Sequence, residues 1–155
     1  HDTIGCVHFA DGAMRVEIKG SCLCGQIRFA TPGPLRPVIA CHCTQCRKTT
    51  GHFVAATSVL RTGVTITGAP RWYASSSQAC CGFCAKCGSQ LFWDGKGTHL
   101  SIFAGSIDGA TGVKMAGHIF CADKGDYYEI ADGLPQAAAE DPVLTARVDS
   151  AEVKP

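Results

Sequence analysis

A chain of 155 residues, 46% hydrophobic and 17% charged, is long enough for one domain with a sizeable core and short for two. A formal net charge of +1 supplies no broad basic face, which argues against a nucleic-acid partner held through its phosphates. No apolar run reaches the roughly 18 residues of a membrane span, and no basic-then-apolar secretory signal opens the chain, so the sequence reads as soluble and cytoplasmic.

Residues 1–13 show no clear period and read as an N-terminal extension or remnant, with the native start expected at Met14. From there the chain is a series of short alternating runs separated by turn residues: "MRVEIKG", "QIRFA", "PVIAC", "HFVAATSV", "VTITG", "RWYAS", "SQLFWDG", "HLSIFAG" and "HIFCAD". Valine, isoleucine, phenylalanine and threonine in two-residue alternation, punctuated by eighteen glycines, predict a mainly β fold of packed antiparallel sheets. Helix has room only near "RKTTG" and "SIDGATG". Residues 137–155, alanine-rich and charged with two prolines, read as a weakly held tail or a short helix, which leaves 14–136 as the domain.

Eleven cysteines would suggest a disulfide scaffold, but the number is odd and they cluster at two- and three-residue spacing. One metal ion can gather such clusters, because a tight turn brings two thiolates within about 4 Å. Cys22 and Cys24 in "GSCLCG", with Cys84 and Cys87 in "FCAKCGS", form two pairs beside glycine. Four thiolates make a closed tetrahedron, so this site is expected to be a structural zinc stapling the start of the domain to its middle.

The stretch "CHCTQCRKTTG" carries Cys41, Cys43 and Cys46. Three protein ligands with an open position mark a catalytic zinc. The alternative is a second closed site completed by Cys80, Cys81, His52, His99 or His118. His42, between two ligands, is expected to point away from the metal, and Cys6 and Cys121 to be packed as small hydrophobes.

The same motifs, with "AGSID" and "HIFCADKGDYYEI", resemble the glutathione-dependent formaldehyde-activating enzyme family over roughly residues 15–136. The resemblance implies a β-tent fold, shared with methionine sulfoxide reductase B and a guanine-nucleotide-exchange chaperone. It implies structural zinc on Cys22, Cys24, Cys84 and Cys87, catalytic zinc on Cys41, Cys43 and Cys46, and so two zinc ions per chain. Its implied activity is that of a carbon–sulfur lyase joining glutathione, as cosubstrate, to formaldehyde or another small electrophile, or running the reverse.

Arg47 and Lys48, directly after the last ligand, are candidates for meeting a glutathione carboxylate or offsetting thiolate charge. His118, Asp123, Lys124 and Asp126 are weaker candidates for a place near substrate. Trp72, Phe92, Trp93, Tyr127 and Tyr128 read as core or pocket rim, and Ser89 as a residue satisfying backbone groups in the zinc turn. Two rival readings stand beside the lyase. One is a non-catalytic zinc module binding a protein, as centromere protein V suggests. The other is a thiol redox enzyme like methionine sulfoxide reductase B, using Cys121 or Cys80. The oligomeric state stays open, a homo-oligomer included.

Overall fold

The computed structural model describes residues 16–148, together with the backbone of a short hairpin formed by β1 (Phe9–Ala10) and β2 (Ala13–Met14). Cys6, most of the extension expected at 1–13 and the tail beyond residue 148 lie outside the described residues.

The alternating runs form strands. A three-stranded sheet pairs β3 (Ile18–Ser21) with β4 (Arg28–Thr31) and β4 with β7 (Thr65–Thr67), all antiparallel. A seven-stranded sheet contains β5 (Val38–Cys41), β6 (Val54–Leu60), β8 (Arg71–Ala74), β9 (Cys80–Phe83), β10 (Gln90–Asp94), β11 (His99–Phe103) and β12 (Met115–Ile119). Its order is β12-β5-β6-β11-β10-β9-β8.

Two features depart from the reading of the sequence, and a third follows it only in part. The β12–β5 pair is parallel. β9, "CCGF", lacks β-branched residues and is a strand because β8 and β10 hydrogen-bond it from both sides. Helix forms near "RKTTG" as α1 (Thr44–Thr50), whereas "SIDGATG" holds turns after a 3-10 turn at Ala104–Ser106.

The two faces of the large sheet have different fates. Val59, Leu100 and Ile102 point to one side and pack with Phe29 of the smaller sheet, with Ile27 just before β4 and with Ile107, which bridges Gly20. A bulge in β10 between Gln90 and Phe92 turns both Leu91 and Phe92 into this core, and Phe29 meets Phe92 edge-on at 5.3 Å. The intervening residues, among them Cys41, Val54, Ser58 and Ser101, face the other side, where they floor a cavity.

Gly20 leaves room for the ring of its cross-strand partner Phe29 and for the 3-10 turn that ends at Ser106. A Cβ there would stand 2.0 Å from Phe29 Cζ and 2.5 Å from the Ser106 carbonyl oxygen. Gly20→Ala is therefore expected to cost about 1–3 kcal/mol, read as a lower urea midpoint in zinc-replete buffer. An unchanged midpoint would mean that the Phe29 ring and the Ser106 turn can give way without loss.

Residues 137–148 differ from the loose tail or short helix expected of their composition. Backbone bonds from Phe120 to Ala139, from Cys121 to Ala137 and from Ala137 to His118 lay the segment beside β12, and Leu144 closes over Gly117. Its further course, a single turn near Asp141, brings Glu140, Pro142, Thr145 and Arg147 to the cavity as a second wall.

Candidate metal centre

Two similar turns build the first cysteine cluster. After β3 the chain folds back over residues 22–27, with Cys22 N–H donating to the Ile27 carbonyl at 3.0 Å and Gly25 N–H to the Cys22 carbonyl at 3.0 Å. Between β9 and β10, Cys84 N–H donates to the Ser89 carbonyl at 2.9 Å and Gly88 N–H to the Cys84 carbonyl at 2.8 Å. Gly25 and Gly88, each directly after the second cysteine of its turn, both take φ of +77°. A side chain there would strain the reversal that points the sulfurs inward.

The sulfurs of Cys22 and Cys24 lie 3.6 Å apart, those of Cys24 and Cys84 3.7 Å, and all four fall within 4.8 Å of one another. Regular tetrahedral zinc with bonds of about 2.3 Å needs sulfurs about 3.8 Å apart, so this donor set fits zinc. Ser89 ties the turns together: its Oγ accepts Leu23 N–H at 2.9 Å and sits 3.2 Å from Cys87 Sγ. The Ser89 hydroxyl and amide, with the Cys24 amide, pull Cys87 down to about 5, poised to ligate as thiolate.

In the second cluster Cys41 ends β5, Cys43 caps the N-terminus of α1, and Cys46 lies in its first turn. Cys46 N–H donates to Cys43 Sγ at 3.4 Å, and the three sulfurs lie within 4.8 Å of one another. A hydrogen bond from the Cys46 thiol lowers Cys41 to about 6 against the effect of burial, and the same bond raises Cys46. Like charges this close cannot all ionise without a cation, and soft thiolates select zinc among the common divalent ions.

The family model described as glutathione-dependent formaldehyde-activating enzyme matches residues 17–123, which contain all seven of these cysteines. The chain belongs to the glutathione-dependent formaldehyde-activating enzyme family. No curated protein matches it.

In this family member the second group of ligand atoms closes at three. None of Cys80, Cys81, His52, His99 or His118 brings an atom within 4.8 Å of all three sulfurs. Cys81 lines the same cavity as the three cysteines, and its sulfur accepts Gln45 Nε2–H at 2.9 Å. All ten described cysteines are free thiols. The cavity has a volume of about 810 Å³, with Trp93 and Phe103 among its apolar lining.

His42 turns away from the sulfurs and is fully buried, and burial followed by neighbouring His118 lowers it to about 4. Its Nδ1 meets Tyr128 Oη, its Nε2 lies 2.9 Å from His118 Nδ1, and His118 Nε2 lies 2.7 Å from Asp132 Oδ2. Burial raises Tyr128, so its hydroxyl keeps its proton and donates to His42 Nδ1. Neutral His42 then donates from Nε2 to His118 Nδ1, and His118 donates from Nε2 to the Asp132 carboxylate. The run fixes the backbone between Cys41 and Cys43 from the side away from the cavity.

Arg47 and Lys48 lie in the last turn of α1 and do not line the cavity. Asp123 and Asp126 are exposed and also outside the lining, and Lys124 Nζ donates to the Gly125 and Tyr128 carbonyls. Phe92 is core, whereas Trp72 and Trp93 are partly exposed and Tyr127 donates from its hydroxyl to the Gly51 carbonyl. Among the described residues no helix is long and apolar enough to cross a membrane. Reading the sequence missed Arg36, Ser58, Asp132 and the wall from Glu140 to Arg147. Asp132 opens "DGLPQ", a segment that belongs with the motifs of the resemblance, whereas the others carry no motif and are brought in by sheet register or by the return of the chain.

Proposed function

We propose that this chain is a cytoplasmic zinc-dependent carbon–sulfur lyase that joins a thiol, glutathione in the simplest case, to formaldehyde or a related small electrophile, and runs the reverse. The observation that carries the reading is a three-sulfur cluster, with no fourth protein ligand among the described residues, opening into the cavity. Cys22, Cys24, Cys84 and Cys87 would hold one zinc structurally, and Cys41, Cys43 and Cys46 the other. A zinc ion held by three thiolates supplies Lewis acidity that favours ionised sulfur over thiol at neutral pH.

In the joining direction the thiol loses its proton, the new carbon–sulfur bond takes the sulfur electron pair, the carbonyl π bond breaks, and the oxygen gains a proton as hydroxyl. The protein's part is positional. The cavity brings thiol and aldehyde together, and Trp93 and Phe103 exclude water from one side. Gln45, held by Cys81, presents a fixed amide beside the ligands.

Metal analysis is expected to give two zinc per chain. Exchange between formaldehyde, glutathione and S-hydroxymethylglutathione, followed by NMR, is expected to exceed the uncatalysed rate in proportion to protein and to fall to background on chelation. Exchange at the background rate in protein loaded with two zinc ions would remove formaldehyde and glutathione as the reacting pair. Activity that survives chelation and is lost in Cys121→Ser would transfer the reading to thiol redox chemistry.

A further inference from the structure

The cavity lining holds two polar groups that the described residues satisfy only in part: Arg36, whose guanidinium bonds carbonyl oxygens alone, and Ser58, whose hydroxyl has no partner. Arg36 is only 8% exposed, its Nε donates to the Pro37 carbonyl at 3.3 Å and its Nη2 to the Ala56 carbonyl at 3.1 Å. Among the described residues Nη1 makes no hydrogen bond and the guanidinium forms no ion pair. Ser58, 4% exposed, has a buried Oγ with no hydrogen-bond partner, and it too lines the cavity. The two are neighbours, since Arg36 N–H donates to the Ser58 carbonyl at 3.1 Å.

A buried guanidinium without a carboxylate is costly to keep, and an orphaned hydroxyl beside it adds to that cost. Both costs are relieved together by an anion in the cavity. The planar fork of arginine matches a carboxylate, and the serine hydroxyl supplies a further donor to the same oxygens.

Position along the sheet sets the reach. Cys41 pairs with Val54 and Ile39 with Ala56, so the carbonyl that holds the Arg36 guanidinium lies two residues along β6 from the level of Cys41. At the strand rise of about 3.4 Å per residue the separation is about 7 Å. A thiol with a carboxylate a few carbons away spans that length.

We infer that Arg36 and Ser58 form an anion site in the cavity floor, and that the thiols used at the three-cysteine cluster are those carrying a carboxylate about 7 Å from the sulfur. The site rests on the lyase reading for its purpose but not for its test. It assigns recognition to the floor of the cavity, with Arg36 and Ser58 as specificity residues, instead of to Arg47 and Lys48 on α1.

The test compares 4-mercaptobutyrate with 4-mercaptobutyramide, equal in length and thiol and different in charge, by calorimetric titration of the zinc-loaded protein without aldehyde. Wild type is expected to bind the acid about tenfold or more tighter than the amide. Arg36→Met is expected to bring the two affinities together while leaving that for the amide unchanged. Arg36→Lys keeps part of the preference, and Ser58→Ala, which removes no framework bond, reduces it several-fold. Equal binding of acid and amide by wild type, a preference that survives in Arg36→Met, or no binding of either thiol at millimolar concentration would overturn the inference. If Arg36→Met fails to fold, the wild-type ratio and Ser58→Ala decide between the same outcomes. Because the titration needs no aldehyde, an acid preference found here together with background-rate thiol–aldehyde exchange in the separate NMR assay would count against the lyase reading and leave the anion site standing.

Discussion

Cys84→Ala is expected to unfold the domain at ordinary temperatures, with loss of near-UV circular dichroism, mostly insoluble expression and fewer than two zinc per chain. Cys84 is 2% exposed and belongs to the central apolar cluster together with Cys22. Its contact with Cys24 closes a loop of 60 residues. On a chain-entropy basis a cross-link of that length contributes about 4 kcal/mol. Structural zinc in small domains contributes about 10–16 kcal/mol of apparent free energy at neutral pH, against a total stability of about 5–15 kcal/mol for a typical domain. Losing one of four thiolates forfeits much of the first figure, so the second cannot absorb it. A soluble Cys84→Ala protein with native near-UV signal and two zinc ions would show that the cluster does not staple the fold.

The chemistry that such a staple would require also explains why so much of the fold is legible in the sequence. Cysteine pairs beside glycine announce the two turns because ligand chemistry leaves few other ways to arrange them, and two-residue alternation announces the strands because one face of each must be buried. β9 escapes that logic: neither cysteine nor glycine favours a strand, and only its neighbours make it one.

Long-range placement is the other hidden part. His42 and His118 are separated by 76 positions and meet because β12 runs parallel to β5, a crossover that local periodicity cannot announce. Arg36 sits in "LRPVIA", where a lone arginine reads as surface. Its burial follows from the register that places Ser58 and Ala56 beside it. The cavity wall from Glu140 to Arg147 is composed of residues that predict a loose tail, and it is held by backbone bonds to the end of β12. Because this wall lies beyond the 17–123 span of the family match, the ligand cluster belongs to the shared part of the chain and the shape of the cavity in part to this member.

Cys43→Ala is expected to do the opposite of Cys84→Ala: the fold stays and the chemistry goes. Cys43 Sγ caps α1 by accepting Cys46 N–H, so its loss costs the helix about 1 kcal/mol. α1 buries no residue, so that loss has little route into the core. The cluster falls to two sulfurs, which hold zinc too weakly to compete with buffer, and the metal content drops from two to one per chain. With the ligand set broken, thiol–aldehyde exchange is expected to fall by more than about a hundredfold, beyond what loss of an outer partner of a metal ligand causes. The urea midpoint should move by no more than the cap accounts for. The pair of variants separates two roles that identical side chains share. On the proposed reading a sulfur inside the apolar cluster is expected to hold the fold together, and a sulfur at the cavity edge to serve what binds there. Activity retained in Cys43→Ala would remove the three-cysteine cluster from the reaction, and unfolding as complete as in Cys84→Ala would make both clusters structural.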